Sequence, residues 1–205
     1  MRIISGTSKG RKILEPRDVN TRPLKDLTKE SIFNILNHSN KFSVSLKNSN
    51  VLDLFSGVGS FGLECLSRGA SNLTFVENYN NVLPVLEKNI FNLNFQDNSI
   101  IIKDNIINNL NFKNFKKKFN IIFIDPPYKE KKLSHLLINI AESNILNDDG
   151  IVIIHRHKKE KDKFTKTFNI IEEKTYGISR VIFGNYFWIN IFLVSFFINS
   201  TEGWS

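Results

Sequence analysis

The chain has 205 residues, of which 41% are hydrophobic and 23% charged, and its formal net charge is +8 at pH 7. A single cysteine, Cys65, excludes an internal disulfide, and no apolar run reaches the ~20 residues of a transmembrane helix. The first residues, MRIISGTSKGRK, lack the apolar core of a signal peptide. We therefore expect a globular protein of one domain, located in the reducing cytoplasm, with an anionic partner such as nucleic acid.

The first predicted element is a hairpin over residues 2–14, where RIIS and RKIL flank the turn-rich stretch GTSKG. A helix is predicted to open at Pro23. Its apolar residues fall on roughly one stripe: Leu24, Leu27, Ile32, Ile35 and Leu36. Residues 1–29 also carry eight basic side chains against three acidic ones. Such a basic cluster is either a solvated face or a surface for an anionic partner such as nucleic acid, and we interpret residues 1–48 as a basic N-terminal arm followed by a helix.

Strands and helices alternate from residue 51 onward. Strands are predicted at 51–55, 72–77, 99–104, 120–125 and 150–156, with helices at 59–69, 80–92 and 131–145. Residues 168–187 are interpreted as two further strands joined by a turn. This pattern predicts an α/β fold over residues 49–187, with a mostly parallel seven-stranded sheet and an antiparallel C-terminal hairpin.

A glycine-rich turn follows the predicted strand at 51–55. In DLFSGVGSFGLE, Gly57, Gly59 and Gly62 fit G-x-G-x-x-G between a strand and a helix, the context in which this motif binds nucleotides. Glu77 ends the next strand, twenty residues after Gly57. A carboxylate there can accept hydrogen bonds from both ribose hydroxyls of a nucleoside cofactor. The alternative is a packing turn with a surface glutamate.

Asp53 distinguishes the two cofactors that fit this turn, NAD and S-adenosylmethionine. A Walker A loop is excluded because Leu63 and Glu64 occupy the positions of its Lys and Ser/Thr. An unpaired buried carboxylate is unfavourable by several kcal/mol, so Asp53 needs donors or a cation nearby. S-adenosylmethionine carries a sulfonium and an ammonium, whereas NAD places an anionic pyrophosphate at such a turn. Asp104, after the third strand, could accept from the adenine amino group or simply cap the strand.

The sequence IDPPY places a carboxylate on a rigid corner after the fourth strand. Pro126 and Pro127 restrict the backbone and so hold Asp125 in one direction, at the strand ends where such sheets bind ligands. Asp125 and the Pro126 carbonyl could accept N–H bonds from the exocyclic amine of a base and aim its lone pair at a methyl donor. Tyr128 would stack on an unpaired or flipped-out base. The alternative is a rigid turn with a surface tyrosine.

These segments resemble known families. DLFSGVGSFGLECLSRGA and IDPPY resemble motifs I and IV of the amino-methyltransferases. RIISGTSKGRKI and TRPLKDLTKESIFNIL resemble the N-terminal arm and first helix of the RsmD-type 16S rRNA guanine-N2 methyltransferases, and the resemblance covers about residues 1–186. It implies a Rossmann-like class I methyltransferase. The resemblance to the RsmD-type family further implies that the enzyme uses S-adenosyl-L-methionine to methylate the exocyclic N2 of one guanine in 16S rRNA, either free or in the small ribosomal subunit.

The resemblance also implies roles for individual residues. Cofactor contacts are implied for Asp53, Phe55, Gly57, Gly59, Glu77 and Asp104. Catalysis is implied for Asp125, Pro126, Pro127 and Tyr128. RNA contacts are expected from the basic arm and from a second basic cluster at 155–166, through Arg11, Lys12, Arg22, Lys29 and Arg156. The family usually has arginines where this chain has Leu27 and Lys29, and a lysine cannot form the bidentate fork of an arginine.

Other interpretations stay open at this point. A DNA amino-methyltransferase shares the chemistry, but this chain has little room for a target-recognition domain. A non-catalytic ribosome-assembly factor or a nicotinamide oxidoreductase are the other candidates. We expect a monomer, and we expect no metal site because the histidines and the cysteine lack metal-ligand spacing. The apolar tail at 188–205 is too short to span a bilayer, and it could pack, contact a membrane surface or be an aberrant extension.

Overall fold

The computed structural model describes residues 1–16 and 24–186, and the following helices and strands belong to that part of the chain. Its α-helices are α1 (Asp26–His38), α2 (Ser60–Ser67), α3 (Leu83–Leu93) and α4 (Leu133–Glu142). Its strands are β1 (Asn50–Leu54), β2 (Asn72–Val76), β3 (Ser99–Ile102), β4 (Phe119–Ile124), β5 (Leu146–His157), β6 (Phe168–Tyr176) and β7 (Ser179–Tyr186). The predicted elements from residue 51 to 186 are confirmed, with ends that shift by a few residues.

The seven strands form one sheet in the order β3-β2-β1-β4-β5-β7-β6. The strands from β3 to β5 are parallel to their neighbours, whereas β7 runs antiparallel to both β5 and β6. The predicted mostly parallel sheet with an antiparallel C-terminal hairpin is therefore confirmed. The chain moves outward from β1 to β3 and then returns to β4 on the other side of β1. Ligands of such sheets bind at this reversal, beyond the carboxyl ends of β1 and β4.

Both faces of the sheet are covered by apolar side chains, as β4 illustrates. Ile121 and Phe123 belong to the cluster that packs under α1, α2 and α3. Ile122 and Ile124 belong to the opposite cluster, which contains the buried face of α4. A strand buried on both faces needs apolar residues at every position, which explains the uninterrupted run that precedes Asp125.

The N-terminal hairpin forms, but as one antiparallel bridge between Arg2 and Lys12 rather than as two strands. A hydrogen bond of 2.9 Å from the Ile3 amide to the Arg11 carbonyl extends the pairing. Ile3 and Ile13 are fully buried in the same apolar cluster as α1 and α2. The arm is therefore packed against the sheet domain.

The prediction that Leu27 lies on the apolar face of α1 is wrong. Leu27 is 70% exposed, whereas Ile32 is fully buried. Five residues turn an α-helix by about 140° beyond a full turn, so these two side chains cannot share a face. The predicted helix start at Pro23 lies outside the described residues, as does the tail at 188–205. None of the helices in residues 1–16 and 24–186 has the length and apolar character needed to cross a membrane.

Candidate active site

The loop between β1 and α2 has an unusual backbone. Phe55, Gly57 and Gly59 have φ values of +60°, +55° and +83°. A Cβ atom on Gly59 would lie 2.6 Å from Cδ1 of Leu86, so a side chain at this left-handed position would also force the buried Leu86 to shift. A Cβ atom on Gly57 would meet nothing within 4 Å, so this glycine borders open space. The loop therefore leaves the backbone at Gly57 open to close approach.

Glu77 fixes this loop from the end of β2. Its Oε2 accepts a hydrogen bond from the Gly57 amide at 2.8 Å. Its Oε1 accepts from the amides of Asn78 and Tyr79, at 2.8 and 2.9 Å. A carboxylate oxygen offers two lone-pair sites, so Oε2 keeps one for a further donor such as a ribose hydroxyl. The structure thus brings Glu77 to the glycine loop, as expected from their spacing in the chain.

Asp53 is buried below the loop, with 1% of its surface exposed. Its Oδ2 accepts a hydrogen bond of 3.0 Å from the Gly62 amide in the first turn of α2, so the donor that its burial requires is present. Burial raises the pKa of Asp53 well above its usual value, and the negative charges of Asp125 and Glu77 raise it further, against the effect of the Gly62 hydrogen bond. Three carboxyl groups therefore act on one small region, which favours a cationic ligand.

Asp125 stands where β4 ends, directly beside the glycine loop. Its backbone amide donates to the Leu54 carbonyl at 3.3 Å and so ties this corner to the end of β1. Its Oδ1 lies 2.8 Å from Nδ1 of His155, and 19% of its side chain is exposed. Asp125 is thus at the switch point of the sheet, on a backbone that is hydrogen-bonded to the end of β1, directly before the glycine loop.

The two prolines and Tyr128 continue this corner as a tight turn. Pro126 is buried and Pro127 exposed. The Pro127 carbonyl accepts a hydrogen bond of 2.8 Å from the Glu130 amide, which closes the turn. The half-buried Tyr128 ring packs edge-on against His157, with 5.1 Å between ring centroids, and more distantly against His155. The tyrosine is therefore held against the two histidines of β5, three residues after Asp125.

Arg156 is not available to RNA, and that prediction is wrong. Its side chain is fully buried. Its guanidinium donates to the carbonyls of Pro127 and Glu130, at 3.2 and 3.0 Å, and pairs with Asp162 at 2.9 Å. Three acceptors inside the protein use the fork of donors that would otherwise bind phosphate. Arg156 therefore braces the turn that follows Asp125.

Lys29 is also wrong as an RNA contact, because it is fully buried. Its Nζ donates to the Arg2 carbonyl at 2.8 Å and to Ser60 Oγ at 3.3 Å, and it lies 3.8 Å from the buried carboxylate of Glu64. Burial lowers the pKa of Lys29, and the charges of Glu64 and Asp26 oppose that effect. Lys29 thus joins the N-terminal arm, α1 and α2.

The remaining predicted residues are placed as follows. Arg11 and Lys12 are exposed on the arm, and Arg11 donates to the Asn92 carbonyl. Arg22 lies outside the described residues. Asp104 follows β3 at the same edge of the sheet as Glu77, and its Oδ1 caps the Asn105 amide at 2.7 Å. The positive φ of Phe55 is uncommon for an aromatic residue, and such strained conformations cluster at binding sites.

Sequence reasoning missed the contact between His155 and Asp125. The register of the parallel strands β4 and β5 explains this contact. Ile124 of β4 pairs with Ile154 of β5 in parallel register. The next residue on each strand is Asp125 and His155, so the two are neighbours at the same edge.

A family profile described as "Conserved hypothetical protein 95" matches residues 1–185. The chain belongs to this family. Ribosomal RNA small subunit methyltransferase D of Buchnera aphidicola is 33% identical over 84% of this chain and 86% of that protein. The protein of the same name from Escherichia coli is 30% identical over 75% of this chain and 73% of its own length.

Solved structures agree with this assignment. The structure of yhhF from Escherichia coli, a provisionally assigned methyltransferase, is 27% identical, with a TM-score of 0.74 over 91% of this chain and 97% of that one. A provisionally assigned methylase from Haemophilus influenzae gives a TM-score of 0.69 at 27% identity, over 90% and 98% of the two chains. The predicted family, the Rossmann-like fold and the methyltransferase class of enzyme are confirmed.

Proposed function

We propose that the protein methylates the exocyclic N2 of a guanine in small-subunit rRNA, with S-adenosyl-L-methionine as methyl donor. The observation that carries this proposal is the position of Asp125. Its amide is bonded to Leu54, the last residue before the glycine loop, and its carboxylate acts electrostatically on Asp53 below that loop. An acidic corner next to such a loop can hold an acceptor amine close to a methyl donor, which supports the proposal.

The site fits the proposed cofactor in shape and in charge. Open space next to Gly57 accommodates a ligand against the backbone, and Oε2 of Glu77 has a lone-pair site for a ribose hydroxyl. The carboxyl groups of Asp53, Glu77 and Asp125 favour a cation and disfavour the pyrophosphate of NAD. When bound, S-adenosylmethionine supplies an electrophilic methyl group on a positively charged sulfur.

Asp125 and the Pro126 carbonyl then hold the acceptor amine. Both accept N–H bonds, which orients the amine lone pair away from them and toward the methyl group. The nitrogen becomes positive as its lone pair forms the new N–C bond, and the Asp125 carboxylate stabilises that charge in the transition state. Asp125 passes the surplus amine proton to water, while Tyr128 stacks on the base.

The surface beside the corner suits an RNA backbone. Eight exposed lysines, which we call the lysine rim, follow the corner and the end of β5: Lys129, Lys131, Lys132, Lys158, Lys159, Lys161, Lys163 and Lys166. Of the acidic side chains among them, Asp162 pairs with Arg156 and Arg180, and Glu160 pairs with Lys131 of the rim at 3.2 Å. Arg156 also contacts both rim segments and fixes them next to each other. The rim replaces Lys29 and Arg156 as the proposed phosphate contact.

Mapping methylated guanines in 16S rRNA tests this function directly. Small subunits and free 16S rRNA from a strain that lacks the protein are incubated with it and radiolabelled S-adenosylmethionine, and the labelled nucleotide is identified by mass spectrometry. Label in one N2-methylguanine supports the proposal. Label in a parallel reaction with genomic DNA, and none in the RNA, would identify a DNA methyltransferase. RNA binding without any methyl transfer would favour an assembly factor.

A thermal-shift comparison separates the cofactors before any substrate is known. S-adenosylmethionine is expected to raise the melting temperature, because a ligand that binds only the folded state stabilises it by mass action. A rise with NAD and none with S-adenosylmethionine would contradict the proposal. Sedimentation and cell fractionation test the two remaining expectations, a monomer and a cytoplasmic location.

A further inference from the structure

His155 is hydrogen-bonded to Asp125, although the proposed function assigns no role to a histidine. We propose that His155 is a positioning residue, whose neutral imidazole donates from Nδ1 to Oδ1 of Asp125 and reserves Oδ2 for the substrate amine. This inference rests on the proposed methylation of an amine. It adds a second requirement to that reaction, because Asp125 is active only while His155 is neutral.

The geometry defines the tautomer. Nδ1 of His155 lies 2.8 Å from Oδ1 of Asp125, which is hydrogen-bonding distance. An ionised carboxylate can only accept, so the proton of a neutral His155 resides on Nδ1. The hydrogen bond removes the freedom of the carboxylate to rotate about its last bond. One oxygen is thereby fixed against the histidine, and the other is fixed in direction for a second partner.

The surroundings of Nε2 explain why the neutral form of His155 is the one that supports catalysis. Nε2 of His155 is buried and has no hydrogen-bond partner among residues 1–16 and 24–186. The neutral ring leaves only a lone pair there, whereas a protonated ring would bury an N–H group without an acceptor. Protonation would also turn the hydrogen bond with Asp125 into an ion pair of zero net charge. That pair would stabilise a positive amine far less than a free negative charge does.

The groups around His155 make this protonation accessible. Asp125 faces the ring from the end of β4, the Tyr128 ring lies against it, and Arg156 is the next residue of β5. The partner in β7 is Val181, which carries no charge. Burial lowers the pKa of His155, but the charge and hydrogen bond of Asp125 outweigh it, so the pKa lies above its ordinary value of 6.5.

Two substitutions distinguish the contribution of the Nδ1 donor from that of the rest of the imidazole ring. In His155→Asn the side-chain amide can occupy the position of Nδ1 and donate to Asp125, without a titratable group. In His155→Gln the amide lies near the position of Nε2 and cannot replace that bond. We expect His155→Gln to lower kcat by at least about tenfold, the range for a lost hydrogen bond to a charged group. His155→Asn should recover most of that loss.

The pH profile of kcat provides the readout that a merely structural role would not change. With wild-type protein and 16S rRNA as substrate, kcat should rise from pH 6 to pH 8.5 as His155 loses its proton. His155→Asn should lack this limb between pH 6 and pH 8.5. Its dissociation constant for S-adenosylmethionine should match that of wild type, which also confirms folding. His135→Gln, an exposed change on α4, is the control and should keep the wild-type profile.

Each outcome decides between the two claims. Wild-type kcat and an unchanged pH limb in both His155 variants would overturn the positioning role while leaving the methyltransferase intact. Loss of activity in both variants with weaker binding of S-adenosylmethionine would also overturn it, since His155 would then support the fold of the site. A wild-type protein that methylates no guanine would instead remove the proposed function itself.

Discussion

Glu77 and Gly57 are joined by a hydrogen bond of 2.8 Å from the Gly57 amide to Oε2 of the carboxylate. The two residues are twenty positions apart in the chain and follow the carboxyl ends of the neighbouring strands β1 and β2. This bond makes the shape of the glycine loop depend on the same carboxylate that is proposed to bind the ribose. Loop geometry and cofactor affinity should therefore change together.

Glu77→Gln tests this coupling. The substitution keeps the size of the side chain but removes the charge that strengthens three backbone hydrogen bonds. We expect the free energy of unfolding to fall by about 1–3 kcal/mol. Affinity for S-adenosylmethionine should fall at least about tenfold, which corresponds to ~1.4 kcal/mol. Urea denaturation and calorimetric titration measure the two effects. Glu142→Gln, at an exposed position of α4, should change neither, and an unchanged affinity in Glu77→Gln would exclude the ribose contact.

Asp125→Asn should separate binding from catalysis. The amide keeps the shape of the corner and can still accept from His155, but it has no negative charge for the developing positive amine. We expect kcat to fall about 10²-fold or more, comparable with the loss of one preorganised electrostatic contact. The dissociation constant for S-adenosylmethionine should rise far less than kcat falls, because Asp53 and Glu77 still act on the cationic cofactor. A methyl-transfer assay and a titration provide both numbers.

Asp148→Asn is the matched control for that experiment. Asp148 is 91% exposed in its side chain and lies near the amino end of β5, away from the carboxyl ends of the strands. It should keep wild-type activity. Retained methyl transfer in Asp125→Asn would remove Asp125 from the proposed chemistry.

The features that the sequence predicted correctly are local ones. The apolar run before Asp125 and the glycines after Asp53 each carry their own signal, because strand burial and turn geometry depend on neighbouring residues. The errors concern long cationic side chains. Lys29 can be buried because it lies near the carboxylate of Glu64, and Arg156 because it pairs with Asp162. Such pairs depend on tertiary packing, which composition does not reveal.

Arg156→Met tests whether this arginine braces the corner. The substitution leaves two loop carbonyls and part of Asp162 without their buried donor, although Arg180 still pairs with Asp162. We expect the free energy of unfolding to fall by about 3 kcal/mol, the lower end for breaking a buried ion pair. Urea denaturation measures it. Lys158→Met changes the exposed neighbouring lysine of the rim and should cost less than about 0.5 kcal/mol. Wild-type stability in Arg156→Met, with weaker RNA binding, would restore the original RNA-contact assignment.

The lysine rim should make RNA binding strongly dependent on salt. Each phosphate neutralised by a lysine releases counterions, so the logarithm of affinity falls linearly with the logarithm of salt concentration. Changing Lys159, Lys161 and Lys163 together to Gln should reduce that slope by about two to three units, at ~0.7–0.9 per contact. Filter binding of 16S rRNA between 50 and 200 mM salt, roughly the range over which such effects are large, measures the slope.

A triple variant at the opposite edge of the sheet controls for net charge. Lys47, Lys116 and Lys117 are exposed and precede β1 and β4, at the amino ends of the strands. Their change to Gln lowers the net charge equally, but it should leave the salt slope near that of wild type. Equal effects of the two triple variants would indicate that general charge attracts the RNA and that the rim has no special place.

His155 should contribute to stability with a sign opposite to its effect on activity. Its pKa in the folded protein lies above the ordinary value of 6.5, because Asp125 outweighs the effect of burial. A raised folded pKa contributes stability that is fully present below pH 6.5 and is lost as the pH rises through the folded value. The difference in free energy of unfolding between wild type and His155→Asn should therefore be largest near pH 6 and shrink toward pH 8.5. Urea denaturation at several pH values measures this difference. A difference that stays constant over this range would mean that Asp125 does not bind the protonated histidine, and the decline of kcat at low pH would then need another titrating group.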